Sequence, residues 1–309
     1  MGAGDDLRRL SPPLLRPGDS VAFVAPSKPV APEDWEATYA WWNEQGFVPV
    51  PYFDPTSRCG MFSADDDVRF RFLQDALNSD AAAVVCMRGG YGLDRIIDRT
   101  DWTGFMRKPK WVCGFSDATP LINLAATKAG AAVHGPMFGA FAQNPDRSNH
   151  LALLEALTAF FPPGLRFDFP PHPYNRTGSA AGRLFGGNLS LICSNLATSA
   201  EIPSDGAVWF IEDVGEYLYR IDRMLTTLRR AGRLQRLAAL VVGTFTELED
   251  NDPPFGMQWQ QIVRNAVEEY DFPVLFGIPA GHGPLNRPLY LGARVQIQVR
   301  NDGASWQYL

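Results

Sequence analysis

The chain has 309 residues, of which 46% are hydrophobic and 20% charged. That composition excludes a disordered tail, a collagen-like fibre and a small disulfide-stapled scaffold, and the length suits two domains. Lys and Arg number 28 against 34 Asp and Glu, a formal charge of −6, which speaks against non-specific binding to nucleic acid or an anionic membrane.

The opening residues MGAGDDLRR hold no apolar core of the kind a secretory leader needs, and no run approaches the roughly 20 apolar residues that span a bilayer. The expected location is therefore cytoplasmic. Val21 to Ser27 reads as a buried strand ending in a turn, 32–45 as a helix, and Phe47 to Val50 as a strand. Residues 65–79 place Val68, Phe72, Leu73 and Ala76 on one helical face. Ala81 to Met87 is a continuous apolar run, followed by Arg88-Gly89-Gly90-Tyr91-Gly92. Trp111 to Phe115 is a further strand, then a helix at 119–129 and a strand at 131–134. Strand–helix alternation of this kind implies a parallel sheet covered on both faces.

Between 161 and 180 the pattern breaks, with Phe161-Pro162-Pro163-Gly164 and Pro170-Pro171-His172-Pro173. Proline fixes φ and removes a donor, so the stretch reads as a linker between an N-terminal domain at 1–160 and a C-terminal domain at 181–309. Strand and helix then alternate again: a strand at 208–211, a helix at 216–231, a strand at 237–245, a helix at 257–270 and a strand at 273–279. Val295 to Leu309 alternates around Asn301-Asp302-Gly303, a hairpin signal.

Four segments carry chemistry-bearing residues. In Gly114-Phe115-Ser116-Asp117-Ala118-Thr119-Pro120 a strand enters and a helix leaves. Ser116 would sit on a tight turn, with the Asp117 amide unpaired at the start of a helix. Taken alone, the commoner meaning of such a segment is a plain capping serine. The glycines of Arg88 to Gly92 permit close backbone approach, as an anion cradle, an oxyanion donor or an ordinary tight turn. Glu212 and Asp213 close an apolar strand, where α/β folds collect catalytic carboxylates, whereas Glu216 reads as helix N-terminal charge. His282, flanked by Gly281 and Gly283 on a loop, is the best general base among the four histidines. His134 reads as structural, and His150 and His172 as surface residues. Cysteines 59, 86, 113 and 193 form no C-x-x-C pair, and no metal-ligand spacing is present. No metal and no cofactor is expected.

Taken together, these segments, with Gly186-Gly187-Asn188-Leu189 and Tyr219-Arg220-Ile221-Asp222-Arg223-Met224-Leu225, resemble the murein LD-carboxypeptidase family in order and spread. The resemblance implies an N-terminal Rossmann-like parallel-sheet domain, a smaller C-terminal α/β domain and a site in the cleft between them. It implies Ser116 as nucleophile, His282 as base, Glu212 as the orienting carboxylate, and oxyanion amides at Asp117 and Gly90. Arg88, Gly89 and Tyr91 would line the substrate, with Arg88 either meeting the terminal carboxylate or bracing the domain interface. Family members release D-alanine from murein tetrapeptides in the cytoplasm and are commonly homodimers. Two other functions fit less well: an immunity peptidase of the same superfamily, acting on a peptide–nucleotide antibiotic, and a non-catalytic α/β binding protein.

Overall fold

The computed structural model describes residues 12–130, 132–159 and 164–309. The expected leader-free start, residue 131 and the prolines at 162 and 163 lie outside the described residues. The chain forms two units: residues within 1–160, 198–200 and 287–291 make the first, and those within 161–197, 201–286 and 292–309 the second.

The first unit is built on six strands: β1 (Ser20–Val24), β2 (Val48–Tyr52), β3 (Ala83–Cys86), β4 (Trp111–Gly114), β5 (Ala132–His134) and, from far along the chain, β11 (Leu289–Leu291). Their order is β11-β5-β4-β3-β1-β2, parallel except where β11 runs against β5. All four residues of β3 are buried, the signature of a strand covered on both faces. The helices are α1 (Pro32–Glu44), α2 (Asp66–Asn78), α3 (Thr103–Arg107), α4 (Thr119–Ala129) and α5 (Ser148–Thr158). Proline opens α1 and α4, where its missing N–H would lack a partner anyway. The Asp65 carboxylate caps α2 by accepting from Val68 N at 2.8 Å. Phe23 is wholly buried and meets the rings of Trp35, Trp42 and Phe138 edge-on at 5.6–5.8 Å.

The second unit is a seven-stranded sheet, β10-β9-β8-β7-β12-β13-β6. A parallel block holds β7 (Gly178–Asn188), β8 (Val208–Val214), β9 (Ala239–Thr246) and β10 (Val274–Phe276). An antiparallel block adds β12 (Arg294–Arg300), β13 (Gly303–Tyr308) and β6 (Arg166–Phe169). The expected Asn301-Asp302-Gly303 hairpin joins β12 to β13. Helices α6 (Leu189–Ser194), α7 (Leu218–Arg230) and α8 (Trp259–Ala266) belong here. In α7 the buried Ile221, Leu225 and Leu228 recur on one stripe.

The α/β class and the parallel first sheet agree with the sequence. Three features differ. The proline-rich stretch contains β6, an edge strand that alternates exposed and half-buried residues, and an edge is where neighbouring prolines do least harm. The helix expected at 257–270 is shorter, Trp259–Ala266. The short β11 crosses back to the first sheet. No helix among the described residues is long and apolar enough to cross a membrane. Phe23→Ala should lower the unfolding free energy of the first unit by about 3–5 kcal/mol, read as an earlier midpoint in urea; a shift below about 1 kcal/mol would contradict the packing role given to this ring.

Candidate active site

Ser116 follows β4 directly. Phe115 is extended, but Ser116 has φ +58°, the left-handed region that a non-glycine residue enters only at a cost of about 1–3 kcal/mol. A 3₁₀ turn, Ser116–Ala118, then leads into α4. Thr119 Oγ1 donates to Ser116 O at 2.7 Å and Ala118 N to Phe115 O at 3.1 Å, which close the turn. Gly114 is required before it: a β-carbon there would stand 2.8 Å from Ala118 Cβ and 3.1 Å from Cys86 Cβ. The strained serine is partly exposed.

Gly89 packs against that serine. A β-carbon on Gly89 would lie 3.1 Å from both Cβ and Oγ of Ser116. Gly90, at φ +112°, adopts a conformation that side chains disfavour. Arg88 Nη1 donates to Pro29 O at 3.0 Å, and its stem lies over Gly139. Tyr91 is exposed, its ring near Phe62. Asp117 is buried: its carboxylate accepts from the Ser27 hydroxyl and from Leu93 N at 3.0 Å. Burial drives its pKa up, against the lowering effect of those two donors.

In the second unit Glu212, at the end of β8, is completely buried. Its Oε2 lies 2.7 Å from His282 Nδ1 and accepts from His282 N at 3.2 Å. With Nδ1–H donated to the carboxylate, Nε2 is the ring nitrogen that can take up a proton. Burial pushes the His282 pKa down, but the hydrogen bond and charge of Glu212, helped by Asp213 and Glu247, outweigh it and leave the imidazole above its ordinary value.

The loop carrying His282 is sewn to the end of β9. Thr244 Oγ1 donates to Ala280 O at 3.1 Å and accepts from Gly283 N at 3.1 Å; Thr246 Oγ1 donates to His282 O at 3.3 Å. Asn286 Oδ1 accepts from Gly281 N at 3.0 Å. Gly281 has φ +113°, and a β-carbon there would fall 2.6–2.8 Å from Thr244 Oγ1 and Glu212. Asp213, the next residue on β8, is buried and takes different partners. It accepts from Asn188 Nδ2 at 2.8 Å and Ser190 N at 3.0 Å, at the start of α6. Burial raises its pKa to about 7.

The remaining histidines divide differently from expectation. His134 is fully buried in β5 with Phe115 edge-on at 5.8 Å. His150 is not a surface residue: it is 7% exposed, 3.0 Å from Met137 O and packed on Phe138 and Phe141. His172 is partly buried and stacks on Phe276 at 5.2 Å. Among the described residues no group of three or more His, Cys, Asp or Glu is placed to hold a metal ion. Thr244, Thr246 and Ser27 entered no sequence-level site; Ser and Thr are too common on loops to signal a role without their partners.

Residues 21–135 match the model of the LD-carboxypeptidase N-terminal domain, and residues 181–297 that of the LD-carboxypeptidase C-terminal domain. The chain belongs to the LD-carboxypeptidase family. A carboxypeptidase homologue of Streptomyces coelicolor is 33% identical over 288 residues, 87% of this chain and 92% of its own. The murein tetrapeptide carboxypeptidase of Pseudomonas aeruginosa is 26% identical over 279 residues, 86% of this chain and 89% of its own. The crystal structure of muramoyltetrapeptide carboxypeptidase from Oxalobacter formigenes superposes with TM-score 0.84 at 25% identity, covering 94% of this chain and 98% of that one. The fold is shared with the microcin C7 self immunity protein solved with aspartyl sulfamoyl adenosine, at TM-score 0.83 and 18% identity over 95% of this chain and 97% of that one.

As an LD-carboxypeptidase family member with this imidazole–carboxylate pair, the protein should show His282 titrating above the ordinary 6.5 by NMR. The stabilisation from its imidazolium is fully present below pH 6.5 and is lost as pH rises through the elevated midpoint. Glu212→Gln should bring the midpoint down, because burial then acts unopposed by that charge. An unmoved midpoint would contradict the assignment of Glu212 as the source of the upward shift.

Proposed function

We propose that the protein is a serine L,D-carboxypeptidase that releases the terminal D-alanine of murein tetrapeptide. The observation that carries this proposal is the 2.7 Å bond from His282 Nδ1 to the buried Glu212 carboxylate, which orients Nε2 for proton transfer. The strained, partly exposed Ser116 supplies the complementary group, a hydroxyl presented on a strand-to-helix turn.

In the proposed reaction His282 Nε2 removes the Ser116 proton as Oγ attacks the carbonyl carbon of the L-centre. The tetrahedral oxyanion is held by the Asp117 and Gly90 amides; loss of one such donor typically costs about 10²–10³ in rate. His282 then protonates the departing D-alanine nitrogen, leaving an acyl group on Ser116. Water, deprotonated by the same imidazole, releases the tripeptide. Glu212 holds the productive tautomer and offsets the imidazolium charge. Because the base must be neutral to begin, activity should rise with pH through the elevated His282 midpoint.

The names of the Pseudomonas and Oxalobacter relatives support a murein peptide as substrate. A cytoplasmic role in cell-wall recycling and a homodimer belong to the same proposal and rest on the family resemblance alone. The fold shared with the immunity protein keeps a peptidyl sulfamoyl nucleotide as the competing substrate.

The test is incubation with defined tri-, tetra- and pentapeptides and with an aminoacyl sulfamoyl nucleoside, reading products by mass. Tetrapeptide alone should lose D-alanine. Ser116→Ala should reduce that release by about 10⁴-fold or more with an unchanged circular dichroism spectrum. Turnover retained in the variant, or cleavage confined to the nucleoside, would overturn the proposal.

A further inference from the structure

Release of a C-terminal residue requires a group that recognises its carboxylate, and that carboxylate lies three bonds beyond the scissile carbonyl carbon. Its receptor must therefore stand beside the nucleophile. The cations around the Ser116 turn are already engaged, with one exception. Arg88 donates to Pro29 O. Arg69 is buried on α2 and donates to the carbonyls of Pro26 and Gly92, the latter at 2.9 Å. Arg95 pairs with Asp66 at 2.7 Å. The exception is Lys28, for which no carboxylate partner is found among the described residues.

Lys28 is held in place at its backbone, while its ammonium has no carboxylate partner among the described residues. On one side, Ser27 Oγ donates to the Asp117 carboxylate and Pro26 O accepts from Arg69. On the other, Pro29 O accepts from Arg88. The stem then crosses the glycine loop: a β-carbon built on Gly90 would stand 2.5–2.7 Å from Cδ, Cε and Cγ of Lys28. Gly89, the preceding residue, is the one that packs on Ser116 Oγ. The Gly89–Gly90 dipeptide thus touches the serine hydroxyl through one residue and the lysine stem through the next. The residue is partly buried, which removes some of the water that would otherwise satisfy the ammonium and favours a charged partner.

We infer that Lys28 is the substrate-binding cation for the terminal carboxylate, so that the glycines at 89 and 90 serve its stem as well as the serine. This rests on the carboxypeptidase function proposed above and adds its specificity determinant: a free α-carboxylate on the residue after the scissile bond, which an internal peptide bond or an amide-ended peptide does not present.

The experiment uses two peptides ending in an L-diamino acid followed by D-alanine, one with a free carboxylate and one with a C-terminal amide. Cleavage is measured with the unaltered protein, Lys28→Met and Lys28→Arg. Binding is measured by calorimetry in the Ser116→Ala background, so that affinity is read without turnover. Met keeps the stem over Gly90, and circular dichroism checks the fold. The unaltered protein should prefer the acid. Lys28→Met should lower kcat/KM on the acid about 10- to 100-fold, chiefly through KM, and bring the acid-to-amide ratio toward one; Lys28→Arg should restore most of the preference. Undiminished preference in Lys28→Met overturns the Lys28 assignment and leaves the carboxypeptidase function standing. Carboxylate-selective binding that depends on Lys28 without any cleavage overturns the function and leaves the assignment standing. Neither binding nor cleavage overturns both.

Discussion

The turns around Ser116 depend on one buried carboxylate. Asp117 is 1% exposed and, among the described residues, has no cation bonded to it; a hydroxyl and an amide hold it instead. Ser27 comes from the turn after β1, Leu93 from the loop after β3, and Asp117 itself from the turn after β4. One side chain therefore ties together the carboxyl ends of three strands, the region where open α/β sheets bind ligands. Arg69 performs the converse task from α2, donating to carbonyls on two of the same loops. Between them, these two buried ionic groups fix loops that have little secondary structure of their own. The left-handed Ser116 persists because its surroundings leave it no alternative.

The second unit solves a similar problem with neutral groups. The loop from Ala280 to Asn286 has glycine at 281 and 283, and left to itself such a chain would sample many conformations. Thr244, Thr246 and Asn286 bond its backbone at four points. His282 then has its amide and its Nδ1 directed at one oxygen of Glu212. The arrangement sets tautomer and ring orientation, which in the proposed reaction leaves little to reorganise. Asp213, one residue on, fastens the start of α6. Two adjacent carboxylates thereby acquire unrelated tasks.

Local patterns in the sequence were enough to locate much of this. Continuous apolar runs mark β1, β3 and β4, because strands covered on both faces have no polar side to show. The strand-to-helix turn at Ser116 and the Gly-flanked His282 are visible because both need unusual local conformations that leave small residues around them. What escaped were long-range pairings. The three residues of β11 join β5 across more than 150 positions, and nothing in Leu289-Tyr290-Leu291 indicates which edge they will find. β6 is four residues long beside a proline cluster that masks it. His150 was misplaced because a histidine at a helix start looks exposed until Phe138 and Phe141 close over it. Arg69 and Lys28 look like ordinary surface cations; only the turns brought together around Asp117 give them their settings.

The central chemical claim is that the strained hydroxyl and the carboxylate-held imidazole serve a single reaction. Labelling with a fluorophosphonate, followed by peptide mapping, tests it most directly. One adduct is expected, on Ser116, forming at least a hundredfold more slowly after His282→Ala (about the contribution of a general base). An adduct on another residue, or labelling of Ser116 at an unaltered rate without the imidazole, would contradict it.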